Sequence, residues 1–182
     1  MVMTSLSRVR VARRPGCRSE GLLFAGGRML RCALGRNGIR ALKREGDGAT
    51  PAGRFPFGRA WWRADRGLPP AGNLRQRRIR RDDGWCDAPG AACYNRPVRL
   101  PCRASHEEMW RADGLYDLVV EIGWNLSPRR SRHGSAIFLH AARPGSGFTD
   151  LAPTAGCVAL RPADLRRLAA RLGPRTRLVV CL

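Results

Sequence analysis

Cys157 and His140 are the two side chains of this chain whose types and spacing best suit covalent chemistry. Cys157 ends the run Thr154-Ala155-Gly156-Cys157, and His140 closes the apolar stretch Ala136–Leu139, with sixteen residues between the two. The thiolate is the attacking form of cysteine, and a nearby imidazole or a cluster of backbone N–H groups activates it. Gly156 permits a sharp turn, so the amides of Gly156 and Cys157 can face a developing oxyanion. Thr154 and Ala155 on the same turn would border a substrate. No Asp or Glu adjoins His140, which leaves a backbone carbonyl, that of Ala141, to orient the ring. The alternative for Cys157 is a buried structural thiol, since cysteine is among the most often buried residue types.

Such a pair needs two neighbouring strands. Ala136–Leu139 reads as the first, ending on His140, and Val158–Leu160 as the second. Behind Cys157 the pattern predicts a helix, with Pro162 at its first position, Asp164 complementing the dipole, and Leu165, Leu168, Ala169 and Leu172 forming one apolar stripe. Gly173-Pro174 stops it, and Thr176–Leu182 reads as a last strand holding Cys181 in the core. Upstream, Arg8–Arg13 alternates like a half-exposed strand, and Gly21–Ala25 and Arg28–Leu34 form a hairpin about Gly26-Gly27. Ile39–Lys43 continues this antiparallel meander. Glu45–Pro56 is a loop by its Gly and Pro content, and Phe57–Arg63 is a strand with Trp61 and Trp62 on opposite faces. Gly84–Pro101 has no periodicity and reads as a long loop or insertion. Ser105 and Glu108 predict a short helix stopping near Gly114, with His106 in its first turn. Leu115–Trp124 is a strand buried on both faces around Leu118-Val119-Val120.

The segment Gly134–Leu165 resembles the active-site segment of the L,D-transpeptidases (YkuD-like catalytic domains): a strand-end His, a spacer, then Ser/Thr-His-Gly-Cys and a hydrophobic residue. Thr50-Pro51-Ala52-Gly53-Arg54-Phe55 resembles that family's upstream TPxGxF segment, and in the right order. The resemblance extends from about Met29 to Leu182 and departs at Ala155, where a second His is usual, and at Ala159, where Asn or Arg is usual. It implies a mainly β fold with a few short helices, a β-sandwich or barrel forming a single catalytic domain over residues 1–182, with 70–114 as an insertion or loop region. It places the upstream loop beside the cleft. It also implies an acyltransferase with Cys157 as nucleophile and His140 as base, and no cofactor or metal. The partners implied are peptidoglycan stem peptides, acylated at diaminopimelate in position three or at the first L-alanine, with carbapenem β-lactams as acylating inhibitors. A cell-envelope or periplasmic location follows, although Met1–Glu20 shows no secretion signal of the usual kind; a cytoplasmic location is the alternative.

Composition bounds the remaining readings. With 182 residues, one domain with a sizeable core is expected, and the 21 Gly and 13 Pro favour turns and short strands over long helices. No apolar run approaches the length of a membrane helix. The net charge of +20 favours polyanions, yet the basic residues are scattered, and Lys43 is the one lysine among 34 of them. Arg75–Arg81 holds five Arg in seven residues and meets Asp82-Asp83, without any recognised nucleic-acid-binding pattern, so no specific nucleic acid is expected. The seven Cys cannot all pair within one chain; Cys86, Cys93 and Cys102 fit no tight zinc signature and read as reduced thiols, a Cys86–Cys93 disulfide being the alternative. Two other functions stay open: a cysteine peptidase hydrolysing the same thioester, and a non-catalytic basic protein binding envelope or nucleic acid.

Overall fold

The computed structural model describes residues 5–146 and 150–182. Alternation at Val9 and Val11 makes β1 (Arg8–Arg13) a strand with one buried face. It pairs antiparallel with β2 (Glu20–Ala25), which turns at Gly26-Gly27 into β3 (Arg28–Ala33). Both turn glycines have positive φ, 54° and 78°, as a two-residue hairpin turn matched to strand twist requires. The predicted antiparallel continuation over 39–43 is not formed: only β4 (Ile39–Arg40) is strand, and it pairs parallel with β5 (Thr50–Pro51) in a separate two-stranded sheet, because the chain returns to it through the 41–49 loop rather than a tight turn. Part of the expected 45–56 loop is strand, because β6 runs from Gly53 through Trp62.

The predicted 84–101 loop and the Arg-rich stretch hold short strands: β7 (Gln76–Arg78), β8 (Asp83–Cys86) and β9 (Pro97–Arg99). The expected helix after Ser105 is not formed. His106–Glu108 is instead strand β10, because its backbone pairs with Gly84–Cys86 and so takes the ladder rather than the local capping bonds. His106 Nδ1 lies 2.8 Å from the Ala104 carbonyl, well away from any role in the predicted helix turn. Strands β11 (Leu118–Ile122), β12 (Phe138–Ala141), β13 (Val158–Leu160) and β14 (Arg177–Val180) complete the sheets, and the one helix among the described residues is α1 (Pro162–Ala169). The helix ends before Gly173, and Cys181 is half-buried rather than in the core.

One nine-stranded sheet runs β11-β12-β13-β3-β2-β1-β14-β6-β7, and β6 also pairs with β11. The sheet therefore closes on itself, with β7 attached outside β6, and closure removes exposed edges. The barrel interior holds alternate residues such as Val9, Leu23, Val120, Leu139, Val158 and Leu178, with Leu165 and Leu168 of α1 in the same cluster. Burying such a side chain contributes about 1.5–3 kcal/mol relative to leaving it exposed.

The other face of β11, β12 and β13 is not solvated. Val119, Phe138 and Cys157 join Trp61, Trp85 and Tyr116 in a second, aromatic-rich cluster. The β10-β8-β9 sheet supplies Trp85 to it and Met109 follows directly on β10, so the 83–116 excursion roofs the outside of the barrel wall. This explains why Leu118-Val119-Val120 is apolar throughout: both faces of β11 are covered, as expected. Trp61 is fully buried in the outer cluster, while Trp62 is half-buried against the barrel core.

Candidate active site

His140 lies within β12 rather than at its end, paired with Ala159 of β13 in a parallel ladder. Strand alternation decides its direction. Leu139 and Ala141 point into the barrel, so Phe138 and His140 point outward. Cys157 precedes β13 and takes the same outward side, so neighbouring strands bring the predicted pair together. Both residues line one cavity of about 240 Å³, with Ala155 and Thr154 on its rim.

The imidazole is held on two sides. Its Nδ1 lies 2.8 Å from the Ala141 carbonyl, which can only accept, so Nδ1 carries the proton and Nε2 is the basic nitrogen. The Tyr116 ring meets it edge-on at 5.3 Å between centroids. Tyr116 is itself fixed by its hydroxyl, which donates to Glu107 Oε1 at 2.7 Å. Burial, with a further push from Arg111, lowers the His140 pKa to about 4, so the ring is neutral at physiological pH.

Cys157 is 8% exposed. Its Sγ donates to the Ala136 carbonyl at 3.2 Å and accepts from the Phe138 amide at 3.3 Å. Among the described residues no hydrogen bond joins the sulfur to His140. Burial pushes the thiol pKa up to about 12, so thiol and imidazole rest as a neutral pair rather than as an ion pair.

The turn before Cys157 is clamped from behind. The Thr154 amide donates to the Leu34 carbonyl at 2.9 Å, and the Thr154 hydroxyl donates to the Cys157 carbonyl at 2.7 Å. Gly156 has φ +146°, and a Cβ there would stand 2.7 Å from the Ala49 carbonyl. No other residue fits that approach without displacement. The expectation that the Gly156 amide faces an oxyanion is not met in this arrangement, because it donates to Thr154 Oγ1 at 3.1 Å. The upstream 45–56 segment packs behind this turn rather than lining the cavity. Asp47 organises it, accepting from Lys43 Nζ at 2.6 Å and from the Arg44 and Ala49 amides, which helps keep its carboxyl below the usual range although burial opposes this.

The 84–101 excursion acts on the sulfur through Asn95. The Asn95 carboxamide oxygen accepts from Trp85 Nε1 at 2.9 Å and from the Ala136 amide at 3.1 Å, and its nitrogen donates to the Asn125 carbonyl at 2.7 Å. Ala136, at φ 51°, is thereby held where its carbonyl takes the Cys157 thiol. Cys86 and Cys93 lie with sulfurs 3.1 Å apart, both free, and neither lines the cavity.

Eight residues of the cavity wall were not legible in the sequence: the polar Glu107, Arg111, Tyr116 and Arg143, and the apolar Leu115, Ala142, Ala152 and Pro153. Tyr116 sits next to a strand and carries no motif, and the two arginines are hidden among many others. The Gly- and Pro-rich loop expected after His140 includes residues 147–149, which lie outside the described residues, as do Met1–Thr4 of the N-terminal reading.

No curated protein and no solved structure matches this chain. The YkuD family model, described as an L,D-transpeptidase catalytic domain, matches residues 19–180, nearly its whole length. A closed β fold carrying a Thr-x-Gly-Cys turn beside a strand histidine accords with that match, and the chain belongs to the YkuD family of L,D-transpeptidase catalytic domains.

Proposed function

We propose that the protein is a cysteine-dependent L,D-transpeptidase acting on peptidoglycan stem peptides. The observation that carries this reading is the shared cavity of Cys157 and His140, with the Nδ1–H tautomer set by Ala141 so that Nε2 is free to take a proton. The thiol first leaves the Ala136 carbonyl by rotation about its own Cα–Cβ bond. It then gives its proton to Nε2 and attacks an amide carbonyl on an L-centre, either diaminopimelate at position three or the first L-alanine. Because both partners start neutral, proton transfer accompanies attack rather than preceding it.

The Cys157 amide stabilises the tetrahedral oxyanion, since the Gly156 amide is committed to Thr154. His140 hands its proton to the departing amine as the thioester forms. An acceptor amine then attacks the thioester with His140 again as base, giving a cross-link and the free thiol. Carbapenems would acylate the same sulfur. Among the described residues no helix is long and apolar enough to cross a membrane, and the substrate places the working site in the cell envelope.

A non-catalytic envelope-binding domain is the competing reading, favoured by the buried thiol's bond to Ala136. Intact-mass analysis after incubation with muropeptides separates the two. Expected are a thioester on Cys157 and dimeric products; trimmed monomers would make it a peptidase, and an unlabelled Cys157 with retained sacculus binding would leave only the binding domain.

A further inference from the structure

We infer that Arg111 and Arg143 form a carboxylate-binding subsite that selects donor peptides with a free carboxylate on a residue that forms the scissile amide. This rests on the reading above and names a feature of its substrate. The two arginines come from separate segments, Arg111 after β10 and Arg143 after β12, yet both line the cavity that holds Cys157 and His140. Asp113 ties them together. It accepts from Arg111 Nε at 3.0 Å and from Arg143 Nη2 at 2.9 Å, and these bonds hold its carboxyl well below the usual range.

Two guanidinium groups against one carboxylate leave a net positive charge on this wall. The bonds to Asp113 use one edge of Arg111 and one nitrogen of Arg143, and a guanidinium offers further donors in a rigid fork that matches a carboxylate. Arg143 also keeps 59% of its side chain exposed, so an incoming anion reaches it without first breaking the fold. Arg111 is seated over the Tyr116 ring at 5.2 Å, which ties its position to the residue that flanks His140.

Ala155 and Ala159 line the cavity with methyl groups, so the nucleophile turn offers a substrate no polar side chain at either position. Among the described residues the one acidic side chain on the lining is Glu107, which is bonded to Tyr116 and pushed toward its neutral form by burial, so it opposes an anion weakly. Recognition of charge in this cavity therefore falls to the arginine wall.

Binding to Cys157→Ala protein tests this without chemistry. The probes are a synthetic stem peptide with its first L-alanine and diaminopimelate, the same peptide amidated at the residue after the alanine, and the same peptide amidated at the diaminopimelyl residue. One of the two amidations should weaken binding by about tenfold, the loss expected for one charge-assisted hydrogen-bonded contact, and which one does so identifies the carboxylate. The preference should shrink to under about twofold in an Arg143→Gln background and return in part with Arg143→Lys. Equal binding of all three peptides overturns the inference, as does an undiminished preference when Arg143→Gln and Arg111→Gln are combined. Thioester formation on the wild-type protein is read separately, so a chemically silent Cys157 would refute the proposed reaction while the binding preference still decides the subsite.

Discussion

At the scale of single residues, the site rests with its charges withdrawn. Burial has driven His140 down to about 4 and Cys157 up to about 12, and each shift sets a measurable behaviour. The rate of thioester formation should hold as pH falls through the ordinary histidine range and drop only near pH 4, where Nε2 becomes protonated and can no longer accept. The same lowered pKa bears on stability. Unfolded histidine titrates near ~6.5, so the neutral ring's contribution is complete above that pH and is lost as pH falls toward the folded value. Unfolding midpoints should fall across that window in the wild type and less so in His140→Gln. For the thiol, peptide mapping after iodoacetamide at pH 8 should show Cys157 alkylated more than about tenfold more slowly than half-buried Cys17 or Cys102, since thiolate fraction and access set the rate. A fast-reacting Cys157 would mean that the sulfur does not rest on Ala136.

At the scale of elements, the pair depends on what stands behind each strand. Gly156→Ala puts a side chain at φ +146° and against the Ala49 carbonyl, so it should cost about 1–3 kcal/mol and lower both the unfolding midpoint and thioester yield. Asn95→Ala removes a buried carboxamide that serves Trp85, Ala136 and Asn125 at once. A loss of about 1–3 kcal/mol is expected, and with Ala136 loosened the rate of Cys157 acylation should change although Asn95 lies outside the cavity lining. Unchanged kinetics in a folded Asn95→Ala protein would show that the roof only covers. These elements also mark where the sequence was readable. Alternation in Arg8–Arg13, the paired glycines of the first hairpin and the Thr-x-Gly-Cys turn announce themselves locally. The β10 strand does not, because Ser105 and Glu108 satisfy a helix-start pattern that pairing with β8 overrides. Asn95 and Tyr116 act through contacts made 41 and 24 residues away in sequence, to Ala136 and His140, and no local pattern carries such information.

At the scale of the whole molecule, the net charge of +20 surrounds a site of modest size. Fields of that kind raise the local concentration of anionic polymers and are screened as the Debye length shrinks from about 10 Å at 0.1 M salt to about 3 Å at 1 M. Retention of the Cys157→Ala protein on purified sacculi should therefore fall steeply with salt, while acylation of wild-type protein by a small uncharged acyl donor should change little. Equal salt sensitivity of both would place the charge effect at the cavity rather than over the surface. The parallel pairing of β12 with β13 has an evolutionary corollary. Two parallel neighbours cannot be joined by a tight hairpin, so the chain must travel from one end of the barrel back to the other between His140 and Cys157. That return path starts with Arg143 and ends on Thr154 and Ala155, all of which line the cavity, while the ladder keeps in register the two strands beside which base and nucleophile stand. Changes at Arg143 or Ala155 can retune which peptide is accepted and leave the reacting atoms where they are, whereas Thr154 is bonded to the Cys157 carbonyl and holds the nucleophile turn.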